Sequence, residues 1–201
     1  MKMNIINVLT KKIYYIFLVL LMISNPAVAK QIAEVDLVDS IVIQGQALKL
    51  NGAGIRSKFV FDVYIAALYS QNKISDIKQI NNQSQPIRIE MHILYDEIGK
   101  EKLIDAWNDG FEDNLTDVEL AALKSKIRNF NKLFTTVFKG DVLQIDYLPN
   151  KGTQLTVNGK IKGVIEGYDF FQALMKIWLG EEPASESLKA ALLGQTDSDN
   201  E

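Results

Sequence analysis

The chain has 201 residues, 22 basic and 25 acidic, a net charge of −3, one histidine and no cysteine. Without cysteine there is no disulfide framework and no thiolate metal site, and one histidine does not make a zinc centre, so no metal or cofactor is expected. An acidic chain lacking a basic cluster is a poor partner for nucleic acid.

Residues 1–29 read as a cleavable signal peptide. Lys2, Lys11 and Lys12 form a basic start, and an apolar run from Ile13 to Ile23 follows. That run is shorter than the roughly 20 residues of a membrane span. Asn25-Pro26 then breaks the segment, and Ala27-Val28-Ala29 is a small-x-small cleavage site before Lys30. The alternative is a retained N-terminal anchor. Cleavage removes three lysines, leaving 19 basic against 25 acidic residues, a charge of −6 and no stable membrane anchor. The expected compartment is the periplasm, with outright secretion second.

Val35, Leu37, Ile41 and Ile43 share one parity, and Gln44-Gly45-Gln46 suits a tight turn into Leu48–Leu50. Next comes LNGAGIRSKFVFDVYIAALYS, residues 50–70. Its Gly52-Ala53-Gly54 suits a tight turn or a close backbone approach. The aromatic and β-branched run behind it suits a strand. Arg56 lies beside this apolar surface. It is either a strand-edge arginine reaching water or a carboxylate, or an anion clamp at the mouth of an apolar pocket. Asn81–Pro86 is a polar loop. The strand after it alternates, with Ile87, Ile89, Met91, Ile93 and Tyr95 on one face and Arg88, Glu90, His92 and Leu94 on the other. His92, on the mainly polar face, is expected to be solvated.

Asp96 is positioned to cap a helix whose Leu103, Trp107 and Phe111 recur every fourth residue. Thr116-Asp117-Val118-Glu119 is a capping box for a second helix, striped by Leu120, Leu123, Ile127, Phe130 and Phe134. Strand signals return at Leu143–Tyr147, Leu155–Val157 and Ile161–Ile165, with an Asn158-Gly159 hairpin turn. Tyr168, Phe171, Leu174 and Trp178 mark a third helix ending at Gly180, and Pro183 and Ser185 open a short final one. Residues 195–201 read as a disordered acidic tail. The pattern predicts one α+β domain over 30–194, helices layered on a largely antiparallel sheet, with an apolar slot between them.

The motif Gly52-Ala53-Gly54-Ile55-Arg56, followed by Val63-Tyr64 and Leu68-Tyr69, resembles the bacterial chalcone isomerase-like domain family of the chalcone isomerase superfamily. Gly140-Asp141, Leu148-Pro149, Ile177–Gly180 and Leu192–Gly194 extend the similarity over most of the chain. The resemblance implies an open-faced β-sandwich, a long antiparallel sheet covered by helices with a ligand cleft between. True chalcone isomerases join the arginine to a strand threonine, a helix tyrosine and asparagine, and a late Ser/Thr. Arg56 matches the arginine. Tyr64 stands at the threonine, Glu101 at the tyrosine, Asn108 at the asparagine and Phe171 at the late hydroxyl. Eight residues separate Arg56 from Tyr64, about 26 Å along a straight strand, so they share a site only if the chain turns back between them.

Three functions are compatible with these residues. The first, and the leading one, is a non-catalytic binder of a fatty-acid-like amphipathic acid held by Arg56, Tyr64, Asn108 and Glu101, as in superfamily members that bind fatty acids. The second is an intramolecular lyase or isomerase, which needs Glu101 or Tyr64 to move a proton near Arg56. The third is a structural or interaction protein in which Arg56 only ties down the chain.

Overall fold

The computed structural model describes residues 30–81 and 83–195. The expected signal peptide and all of the tail except Gln195 lie outside the described residues. The chain opens with a small hairpin of β1 (Lys30–Ile32) and β2 (Val35–Leu37). It continues through β3 (Ser40–Ile43), β4 (Gln46–Lys58), β5 (Phe61–Ser70) and β6 (Ile87–Ile93). A crossover carries β7 (Glu97–Ile98), α1 (Lys100–Asn114), α2 (Asp117–Asn131) and β8 (Val137–Phe138). Then come β9 (Val142–Leu148), β10 (Gly152–Val157), β11 (Lys160–Ile165), α3 (Tyr168–Leu179) and α4 (Glu186–Leu192).

Seven strands form one curled sheet in the order β11-β10-β9-β6-β5-β4-β3, every neighbouring pair antiparallel. Successive side chains of a strand point to opposite faces. In β5, Tyr64, Ala66 and Leu68 enter the core beneath the helices, while Ile65, Ala67 and Tyr69 enter a second cluster with Leu37, Ile43 and Leu48. Burial on both faces is why β5 reads as a nearly unbroken apolar run. The capping box forms at α2, where Glu119 N–H donates to Thr116 Oγ1 at 3.3 Å and Thr116 N–H donates to Glu119 Oε2 at 2.8 Å. Asn158 and Gly159 make the β10–β11 turn with φ of 49° and 73°.

Of the two readings of Gly52 and Gly54, the close backbone approach holds and the turn does not, since both lie within β4. There α4 crosses so closely that a Cβ on Gly52 would collide with the carbonyl oxygen of Ala191, and one on Gly54 would sit 2.6 Å from the Ala191 Cβ. Asn51 secures the crossing, its Nδ2 donating to the Leu192 and Ile74 carbonyls at 2.7 and 2.8 Å. Asp96 does not cap α1; the cap is Gly99, and the Asp96 carbonyl instead accepts from Lys139 N–H. His92 is half-buried rather than solvated. The polar face of β6 looks toward the second cluster, so its charges are paired: His92 with Glu90 at 2.8 Å, and Arg88 with Asp146 through two bonds of 2.6 and 2.8 Å.

Candidate functional site

The site grows from the β4–β5 hairpin. Lys58 pairs with Phe61 across a two-residue turn, so the chain doubles back and Arg56 comes directly opposite Tyr64. The guanidinium carbon of Arg56 lies 5.9 Å from the centroid of the Tyr64 ring, within cation–π reach. No carboxylate among the described residues forms an ion pair with Arg56, whereas Arg88 of β6 and Lys126 and Lys176 of the helices each have one.

Tyr64 is buried under the helices, and its hydroxyl accepts a hydrogen bond from Trp178 Nε1 of α3 at 3.1 Å. Burial pushes the phenol above its ordinary pKa, against the opposing pull of the Arg56 charge and the Trp178 bond. The phenol therefore stays protonated, and its own hydrogen has no acceptor among the described residues. The Trp178 ring meets the Trp107 ring of α1 at 5.5 Å, and the Trp107 Nε1–H is likewise buried without an acceptor. Buried donors are ordinarily paired, so two such hydrogens in one neighbourhood require an explanation.

The expected slot between helices and sheet is filled by aromatic side chains. Trp107 packs on Phe130 and Phe134 at 5.7 and 5.5 Å, and Phe170 closes on Phe130 at 5.2 Å. Two surface pockets lie elsewhere. One of about 830 Å³ is lined by Lys78, Leu115, Glu119 and Lys189, another of about 710 Å³ by Tyr147, Lys151 and Tyr168.

Of the four residues singled out as ligand contacts, the structure brings Arg56 and Tyr64 together. Asn108 is half-buried on α1, and its Oδ1 accepts from Asn131 Nδ2 of α2 at 2.8 Å. Glu101 is exposed in the first turn of α1. Phe171, at the position of the late hydroxyl, is fully buried with its ring 5.1 Å from that of Tyr147. Sequence reasoning placed Trp107 and Trp178 only on core-facing stripes and missed their polar ends. The available signal was that the chain's two tryptophans both sit on helix faces turned to one sheet, and a buried indole N–H needs a partner.

The model of the chalcone isomerase-like family matches residues 29–194, so the chain belongs to that family. No curated protein matches it in sequence. Among solved structures it is similar to a fatty-acid binding protein of Arabidopsis thaliana, with a TM-score of 0.65 and 14% identity, over 83% of this chain and 95% of that one. At that identity the likeness is one of fold.

Proposed function

We propose that the protein binds a small amphipathic carboxylate of fatty-acid type, with Arg56 as the anion clamp. The observation that carries this is a surplus of donors among the described residues: the Arg56 guanidinium without a carboxylate, and the Tyr64 O–H and Trp107 N–H without acceptors. A carboxylate offers two oxygens and about four lone-pair sites, and a planar guanidinium fork fits it. The fatty-acid binding neighbour supports the same class of ligand. Glu101 is exposed and Asn108 is engaged with Asn131, which favours binding over ring-closing chemistry. We also propose that the protein is exported, on the strength of the N-terminal pattern. Edman sequencing of the protein from the periplasmic fraction should begin Lys30-Gln31-Ile32.

Because aromatic rings fill the space beside Tyr64, the hydrocarbon tail must displace some of them, Trp178 and Trp107 first. These are the only tryptophans of the chain, so intrinsic fluorescence reports binding without a label. Titrating oleic acid below its micelle concentration into the protein should shift the tryptophan emission saturably. A flat emission, together with no acid released on denaturing extraction of the purified protein, would contradict the proposal.

A further inference from the structure

We infer that the tip of the β4–β5 hairpin docks the protein reversibly on a lipid bilayer surface. Phe59, Val60 and Phe61 are 92%, 86% and 56% exposed, and Tyr95 extends the patch through an edge-to-face contact with Phe61 at 5.9 Å. Four adjacent apolar side chains in water are unfavourable for the isolated molecule.

The turn itself adds a second observation. Phe59 has a φ of 57°, a left-handed conformation that favours glycine or asparagine. The same chain builds three other two-residue hairpin turns with left-handed residues, from Ala33-Glu34, Gln44-Gly45 and Asn158-Gly159. Only the β4–β5 turn, among these four, carries two large apolar residues. Neither backbone geometry nor solubility calls for phenylalanine there, so contact with something apolar is the remaining role.

The shape selects the partner. Two phenylalanines, a valine and part of a tyrosine bury on the order of 500 Å² at most, short of the roughly 800 Å² per partner of a stable protein interface. A narrow convex tip suits a deformable apolar liquid instead. Docking would leave Arg56, three residues behind Phe59, about 10 Å from the tip, at headgroup depth. That consequence rests on the acid-binding reading; the docking itself does not.

The absence of cysteine allows a single label. The full chain with Val60→Cys carrying a polarity-sensitive fluorophore is mixed with acid-free phosphatidylcholine vesicles. The control is Val118→Cys, 79% exposed on α2. The account expects a blue shift at position 60 and none at 118. Adding Phe59→Asp to the labelled chain should raise the lipid concentration at half-shift at least about tenfold, the effect of one lost phenylalanine burial. No shift at 60, equal shifts at both positions, or a shift at 60 that needs only higher protein concentration would overturn the inference, the last by showing self-association. Acid binding is measured without vesicles, so either claim can fail alone.

Discussion

Arg56 and Tyr64 face each other across β4 and β5, with the guanidinium carbon 5.9 Å from the phenol ring centroid. The pair joins a half-exposed cation to a buried phenol, and through the Tyr64 oxygen to Trp178 at 3.1 Å. It links the hairpin end of the sheet to the helix layer.

Tyr64→Phe separates the two roles of that oxygen. It leaves the Trp178 N–H buried without an acceptor, which costs about 1–3 kcal/mol, and it removes one donor to the acid. Thermal melts should show a lower midpoint, and oleate titration a weaker Kd. Unchanged stability would mean that the Trp178 bond is not formed in solution.

Gly52→Ala tests how α4 docks. The added Cβ meets the Ala191 and Leu192 carbonyls, which are backbone atoms and cannot swing away. Overpacking of this kind costs about 1–3 kcal/mol, and a lower melting temperature is the expected result. Hydrogen exchange should locate the loosening in residues 186–192. A melting temperature equal to wild type would show that the crossing has slack.

Glu119 gives a pH dependence. Hydrogen bonds from the Thr116 N–H and hydroxyl, then one from Lys176, hold its carboxyl down to about 2 from an ordinary 4.5. A depressed folded-state pKa stabilises the fold above the unfolded value, and that stability is lost as pH falls through the folded one. Glu119→Gln should therefore be less stable than wild type above pH 5, with the difference vanishing as pH falls from 4.5 toward 2. Urea midpoints across that range check it; a constant gap down to pH 2 would contradict it.

Chalcone cyclisation should not occur at an enzymic rate. Phe171 is buried and presents no hydroxyl, and the Glu101 side chain is exposed on α1. Each missing donor typically removes several kcal/mol of transition-state stabilisation. Chalcone absorbance followed with the protein should decay as in buffer. Acceleration abolished by Arg56→Ala would favour the lyase reading instead.

Much of the fold was legible because its signals are local. Thr116 with Glu119, Asn158-Gly159 and the four-residue spacing of Leu103, Trp107 and Phe111 each determine a neighbourhood without distant help. Long-range geometry was not. Gly52 and Gly54 permit a close approach, but only the fold shows that α4 makes it. The alternation of β6 reads as buried-against-solvent, yet a second cluster covers its polar face, and Arg88, Glu90 and His92 pair there. At the site, the register of Arg56 with Tyr64 depended on a turn at Phe59-Val60 that has no turn residues, and the slot's filling depended on how Trp107, Phe130 and Phe170 of the helices meet Phe134, which lies beyond the end of α2.

Arg56 provides the most direct test of acid binding. Oleate is titrated into wild type, Arg56→Ala and Arg56→Lys, with thermal melts alongside. A charge-assisted hydrogen bond is worth about 1.5–3 kcal/mol, so Arg56→Ala should weaken binding about ten- to a hundredfold while the melting temperature changes little. Arg56→Lys should recover part of the affinity, since an ammonium lacks the bidentate fork. Equal affinities in the three proteins, or a lost affinity explained by a large fall in melting temperature, would contradict the clamp.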